Sequence, residues 1–139
     1  MEMFRKTLIV KSNTEGEIVD MTEELRMAIV ASKMSNGLAC VFVPHSTAAL
    51  ITIEYEPGLQ KDLRKALDHS IPKGIEYEHH LMWGDGNGHS HVRSSFLGAS
   101  LTVPFHDGIP DLGTWQQVVL VELDIKGRNR KVIIQLIGE

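Results

Sequence analysis

The spacing of apolar residues along the chain predicts a mixed order of strands and helices. Segments rich in β-branched and aromatic residues predict strands over residues 4–10, 38–43, 48–54, 99–105, 117–123 and 129–137. Two other stretches carry apolar residues at helical spacing, and we expect helices from Asp20 to Asn36 and from Pro57 to Pro72. Asp20 and Glu23 are typical of a capping box, and proline suits the first position of a helix, which supports both assignments.

The connections between these elements predict how the domain is arranged. Lys126-Gly127-Arg128-Asn129 is a turn-forming sequence, so we expect the last two strands to form an antiparallel hairpin. Residues 73–90 show no periodicity, and such a segment in a compact domain is usually functional or disordered. Trp83 favours order. The pattern predicts a single α+β domain over residues 1–139, with a mostly antiparallel or mixed sheet packed with two main helices.

Composition narrows the classes of partner and compartment. The chain has 139 residues, of which 42% are hydrophobic and 23% charged, as in an ordinary globular domain. A net charge of −4 gives no general attraction to nucleic acid or to anionic membrane, so we expect neither as a partner. The single cysteine, Cys40, cannot form an internal disulfide. No secretory signal follows Met1, and we expect a cytoplasmic protein.

A histidine-rich segment is the first candidate for chemistry. Four of the seven histidines lie between residues 79 and 91, together with Asp85 and Asn87. Imidazole binds zinc, iron, nickel or copper, whereas carboxylate and amide oxygens also suit harder ions. The alternative is a solvated surface loop. An EF-hand is excluded because Ser90 and Phe96 stand where that motif needs Gly and Glu, and no Walker A, H-E-x-x-H or CxxC motif is present.

Four further residues stand at the ends of predicted strands. His45 leaves a buried strand, where it suits a metal ligand, a general base or a structural histidine. Its neighbour Ser46 does not predict a serine hydrolase, because adjacent side chains of an extended chain point to opposite faces. Glu54 suits a ligand, an acid/base or a solvated carboxylate. Arg128 and Arg130 would share one face of a strand and either hold phosphate or form a solvated edge.

Taken together, these segments resemble the YjbQ-like family, whose members carry the name secondary thiamine-phosphate synthase. The resemblance covers nearly the whole chain. It rests on His45-Ser46-Thr47-Ala48-Ala49-Leu50, Asp85-Gly86-Asn87-Gly88-His89-Ser90-His91, Gly98-Ala99-Ser100-Leu101-Thr102-Val103-Pro104, Leu112-Gly113-Thr114-Trp115-Gln116, Arg128-Asn129-Arg130 and Gln135-Leu136-Ile137-Gly138-Glu139.

The resemblance implies a compact α+β fold, assembled as a homotrimer, with a histidine-containing polar pocket. Carried over by position, His45, His80 and His91 would be the core of this pocket and the first candidate metal ligands. Asp85, Asn87 and His89 would be neighbours or alternative ligands. Glu54, His45 and Asn87 would be the catalytic residues, and Arg128 and Arg130 would hold phosphate. The expected cofactor is a divalent metal ion, zinc or magnesium.

The family name implies thiamine-phosphate formation, in which a pyrimidine diphosphate joins a thiazole phosphate and diphosphate leaves. A divalent metal would neutralise the departing diphosphate while arginines hold phosphate oxygens. Two other classes fit the same residues: a metal-dependent hydrolase of a small phosphorylated or anionic metabolite, and a non-catalytic metal- or small-molecule-binding protein. An open metal position separates a catalytic site from a structural zinc closed by four protein ligands.

Overall fold

The computed structural model describes residues 1–139, whose strands form two antiparallel sheets. The strands are β1 (Glu2–Lys11), β2 (Ile18–Asp20), β3 (Gly37–Phe42), β4 (Ala48–Ile53), β5 (Ser100–His106), β6 (Ile109–Pro110), β7 (Gln117–Glu122) and β8 (Asn129–Gly138). The larger sheet has the order β1-β8-β3-β5-β6, and the smaller sheet has the order β2-β7-β4. The predicted α+β class and all six predicted strands are confirmed.

The helices are α1 (Thr22–Ser32), α2 (Pro57–Ser70), α3 (Glu78–Trp83) and α4 (Gly88–Leu97). The smaller sheet is buried on both faces because its side chains alternate between two apolar clusters. Val118 and Leu120 pack with α1 and the larger sheet, whereas Val119 and Val121 pack on the side of α2. None of the four helices has the length and apolar character that a membrane crossing requires.

The predicted hairpin between the last two strands is wrong. β7 pairs with β2 and β4, whereas β8 pairs with β1 and β3, so residues 123–128 connect the two sheets. The turn residues bind to the end of β1 instead, since the amide of Arg128 donates to Ser12 Oγ at 2.9 Å. A side chain at Gly127 would collide with the Ser12 carbonyl, which shows how closely the two segments approach.

The segment without apolar periodicity contains α3 and the start of α4, two helices that the apolar pattern does not predict. The buried face of α4 carries polar side chains, Ser90, Arg93 and Ser94, so it shows no apolar stripe. Ser94 Oγ donates to the carbonyl of Ala48 at 2.7 Å, which holds α4 against β4. Polar packing of this kind hides a helix from any search for apolar spacing.

One face of the larger sheet is exposed and rich in apolar side chains. We call it the outer sheet face, and it includes the exposed side chains of Met3, Ile9, Leu38, Phe42 and Ile137. The strand register places these residues in neighbouring rows, since Met3 and Leu38 both lie opposite Ile137. This apolar surface ends beside His45, whose Nε2 accepts a hydrogen bond from the Lys131 amide.

Candidate functional site

An open cavity of about 690 Å³ lies at the end of the two sheets, and we call it the polar cavity. Its volume is within the range of small-molecule sites. Apart from Pro44 and Gly127, every residue that lines it is polar or charged: His45, Ser46, Thr47, Asn87, His91, Asp124, Lys126, Arg128, Asn129 and Arg130.

Three connections bring most of these residues together. His45 and Thr47 lie between β3 and β4, and Asn87 immediately precedes α4. Asp124 and Arg128 lie in the connection from β7 to β8. Because β7 runs antiparallel to β4, the end of β7 lies beside the start of β4, which places Asp124 next to Thr47. The site is therefore built from chain segments that are distant in sequence.

A buried ion pair between the two sheets forms the base of the polar cavity. The side chains of Arg130 and Glu122 are 2% and 0% exposed, and Arg130 Nε donates to Glu122 Oε1 at 2.8 Å. Arg130 Nη2 also pairs with Glu122 and donates to the carbonyl and hydroxyl oxygens of Thr47. Ser12 Oγ donates to the same carboxylate at 2.6 Å. Nε and Nη2 of Arg130 are thus engaged by Glu122 and Thr47, whereas Arg128, the other arginine predicted to hold phosphate, is 42% exposed.

Asp124 joins the three connections that line the polar cavity. Its carboxylate accepts hydrogen bonds from Thr47 Oγ1 at 3.1 Å, Arg128 Nε at 2.5 Å and the Ile125 amide at 2.8 Å. Asn87 Nδ2 donates to it at 3.3 Å, and turning that amide by 180° would instead direct its nitrogen to Asp85 at 2.8 Å. Burial raises the pKa of Asp124, but the hydrogen bonds outweigh burial and hold the pKa below its ordinary value.

The two histidines of the polar cavity differ in their hydrogen bonds and therefore in the chemical roles that they can take. Burial, and then the charge of Arg130, lower the pKa of His45. Burial and the neighbouring His79, whose ring centroid lies 4.4 Å away, lower the pKa of His91. Because His45 Nε2 accepts the Lys131 amide at 2.9 Å, its neutral ring carries the proton on Nδ1 and acts as a donor. His91 has no such bond and is the better base.

Several predicted site residues do not line the polar cavity. His80 and His89 line a separate cavity, and His89 Nε2 is 2.7 Å from Glu15 Oε1. Glu54 does not line the polar cavity, because it follows the far end of β4, a six-residue strand that spans roughly 20 Å. The expectation that Glu54 acts beside His45 therefore fails within one chain.

The predicted ligand set of His45, His80 and His91 is not assembled, since His80 is in the separate cavity. Asp85 lies 3.4 Å from His79 Nδ1, on the His91 side of the segment. No three His, Cys, Asp or Glu side chains form a group that could hold a metal ion.

The most connected residues of the site, Glu122 and Asp124, were not among the sequence candidates. Both continue the alternation of β7, since they share a face with Val118 and Leu120. Two carboxylates at the buried positions of an apolar strand are a recognisable signal, because such groups persist only when they are paired or hydrogen-bonded. The partner of each is an arginine from the following connection or strand.

The sequence matches one protein family and several known proteins. The family model described as UPF0047 protein YjbQ-like matches residues 6–139. The UPF0047 protein MJ1081 of Methanocaldococcus jannaschii is 37% identical over 131 residues, which cover 94% of this chain and 91% of that protein. YugU of Bacillus subtilis is 32% identical, with 96% of this chain and 98% of that protein covered.

Solved structures of similar proteins have the same fold. A YbjQ-like protein of Sulfolobus solfataricus superposes with a TM-score of 0.89 at 32% identity and covers 99% of this chain and 100% of that one. A hypothetical protein of Aeropyrum pernix superposes with a TM-score of 0.85 at 32% identity, and both chains are covered completely. The sequence motifs, the fold and these similarities together show that the chain belongs to the UPF0047 YjbQ-like family.

Proposed function

We propose that the protein is an enzyme that acts on a small phosphorylated or otherwise anionic metabolite in the polar cavity. The observation that carries this proposal is that Lys126, Arg128 and the neutral ring of His91 face one open cavity without large apolar side chains. Cations supply phosphate contacts, and a neutral imidazole supplies a proton acceptor.

Each residue has a task that follows from its contacts. Arg128 and Lys126 would bind the anionic group, and Arg128 is held in place by Asp124. His45 would donate its Nδ1–H to the same group, since its Nε2 is occupied by the backbone. His91 would accept or return the proton that the reaction moves. Asn87 would orient the substrate through the amide that lies between Asp124 and Asp85.

Thiamine-phosphate formation is the first reaction to test, because the family resemblance implies it. There the departing diphosphate would be received by Arg128 and Lys126. A hydrolase would use the same side chains, with His91 activating water. Dependence on a divalent metal, zinc or magnesium, is a separate prediction that rests on the resemblance and on the donor types of His91 and Asp85. No step of the proposal requires it.

We also propose that the protein assembles as a homotrimer through the outer sheet face. The exposed side chains of Leu38, Phe42 and Ile137 make this face apolar, and large apolar surfaces of monomers usually mark interaction sites. Because the face ends beside His45 and Lys131, a neighbouring subunit would border the polar cavity. Assembly and activity would then be linked.

The activity experiment uses purified protein with a pyrimidine diphosphate and a thiazole phosphate, with and without a chelator. Thiamine phosphate and released phosphate are measured separately, which distinguishes the transferase from a hydrolase. The His91→Gln variant should lose about 10²–10⁴-fold in kcat, as expected for an acid/base residue. Arg128→Gln should mainly raise KM, since it removes ground-state contacts.

His106→Gln and Arg26→Gln are the matched controls, because both side chains are exposed and neither lines the polar cavity. The proposal fails if His91→Gln and Arg128→Gln retain the rates of these controls. Saturable phosphate binding without turnover of any phosphorylated compound would favour the binding-protein alternative.

A further inference from the structure

A second cavity lies on the opposite face of β7 and its extension. Side chains alternate along this segment, so Asp124 lines the polar cavity while Val121 and Leu123 line the second one. This second cavity has a volume of about 320 Å³ and lies between α2, β7 and the loop of residues 14–16. Six apolar side chains line it: Ile18, Leu63, Leu67, Val121, Leu123 and Ile125.

A buried arginine is part of the lining. Arg93 of α4 is 4% exposed. Its Nε donates to the carbonyl of Ile71 at 2.9 Å, and its Nη2 donates at 3.1 Å to Asp68, whose carboxylate is 63% exposed. These two bonds leave Nη1 without a protein partner. Because Arg93 lines the second cavity, an anion bound there would form a charge-assisted hydrogen bond with this free donor.

The charges around the second cavity leave an excess of cations. Lys73 and Arg64 line it together with Arg93, against the carboxylates of Glu15 and Asp68. Glu15 is already engaged twice, since Lys73 Nζ lies at 3.3 Å and His89 Nε2 at 2.7 Å. Arg64 donates only to the carbonyl of Gly16. The cavity thus combines apolar walls with more cationic than anionic side chains in its lining.

We propose that the second cavity binds a small carboxylate with a short apolar body. The apolar walls would enclose the hydrocarbon part, and Arg93 Nη1 would donate to the carboxylate. The volume lies at the lower end of small-molecule sites, which selects a ligand of a few carbon atoms. This site is separate from the polar cavity and does not depend on the function proposed there.

The test is an NMR titration of the intact protein with hexanoate and, separately, with 1-hexanol. Hexanoate should shift the amide signals of Ile18 and Leu123 in a saturable way, and hexanol should bind about tenfold or more weakly because it lacks the charge-assisted hydrogen bond. Equal affinity for hexanol, shifts confined to the His45 and Asn87 amides, or no saturation would each overturn the proposal. This comparison uses the wild-type protein and so does not depend on the folding of a variant.

Two variants assign the binding to this cavity. Arg93→Met should reduce hexanoate affinity about tenfold or more and leave hexanol affinity unchanged. Leu63→Trp keeps Arg93 but fills the half-buried part of the cavity, and it should abolish binding of both ligands. Arg26→Met is the matched control. Thermal melts establish that each variant is folded, and undiminished hexanoate binding by folded Leu63→Trp would contradict the assignment.

Discussion

Replacement of Arg130 by methionine should destabilise the fold severely, although the sequence suggests an exposed phosphate-binding residue. Arg130 is 2% exposed and pairs through two nitrogens with Glu122, which is fully buried. It also donates to Thr47, which joins the larger sheet to the start of β4. Methionine has a similar length but no charge and no donor, so the substitution leaves a buried carboxylate with only the Ser12 hydroxyl and the Asp124 amide.

The size of the expected loss in stability follows from the burial of the ion pair between Arg130 and Glu122. Loss of one partner of a buried ion pair costs about 3–5 kcal/mol, because the remaining charge stays in the interior. For a chain of this size, that cost corresponds to a fall in Tm of roughly 10–20 °C. The double variant Arg130→Met, Glu122→Leu should recover most of this loss, since it removes both charges. Arg26→Met is the matched control and should cost below about 1 kcal/mol, because that side chain is exposed.

The assay is urea unfolding followed by circular dichroism, with thermal melts in parallel. A shift in the midpoint without a change in the slope assigns the effect to stability and not to a changed denatured state. If Arg130→Met unfolds within about 1 kcal/mol of the wild type, or if the double variant is less stable than the single one, the structural role given to Arg130 is refuted.

Three further predictions concern the polar cavity and the outer sheet face. Burial lowers the pKa of both His45 and His91 in the folded protein. The stability linked to these rings is therefore fully present above about pH 6.5 and is lost as the pH falls through the lowered pKa values. Urea unfolding between about pH 7.5 and about pH 4.5 measures this loss, which should be smaller in the His45→Asn, His91→Gln variant. Asp124→Asn should weaken binding of inorganic phosphate in calorimetry, because Asp124 positions Arg128, whereas removal of a negative charge alone would strengthen it. Phe42→Glu should convert the assembly to monomers in light scattering, and a wild-type monomer at micromolar concentration would contradict the proposed trimer.

The fold could largely be predicted from sequence where one apolar period dominates. β1 alternates between half-buried and exposed positions, and β8 alternates between buried and more exposed ones, so the predicted strands follow that alternation. α4 could not be found in this way, because its buried positions include Ser90, Arg93 and Ser94. The predicted hairpin was wrong because a turn-forming sequence does not specify which sheet the next strand joins. β7 and β8 lie in different sheets, and the ion pair between them links the two sheets.

The site could be predicted in part, for a similar reason. The sequence and the family resemblance selected His45, Asn87, His91 and Arg128, and the structure brings these four to one cavity. Glu54 was grouped with them because it ends the strand that follows His45. His45 and Glu54 lie at opposite ends of that strand, however, so the length of the strand separates them. Hydrogen bonds between distant segments cannot be inferred from spacing along the chain, and the central position of Asp124 is a result of such bonds.

The central claim is that an anionic substrate binds in the polar cavity beside His91, and an NMR titration of histidine side chains with inorganic diphosphate tests it most directly. All seven histidines act as probes, and His69 and His106 report non-specific effects because both are exposed and neither lines the polar cavity. We predict saturable shifts of the ring signals of His45 and His91, which should disappear in the Lys126→Gln, Arg128→Gln variant. Shifts spread over all histidines, or no shift at His91 while diphosphate binds elsewhere, would contradict the account.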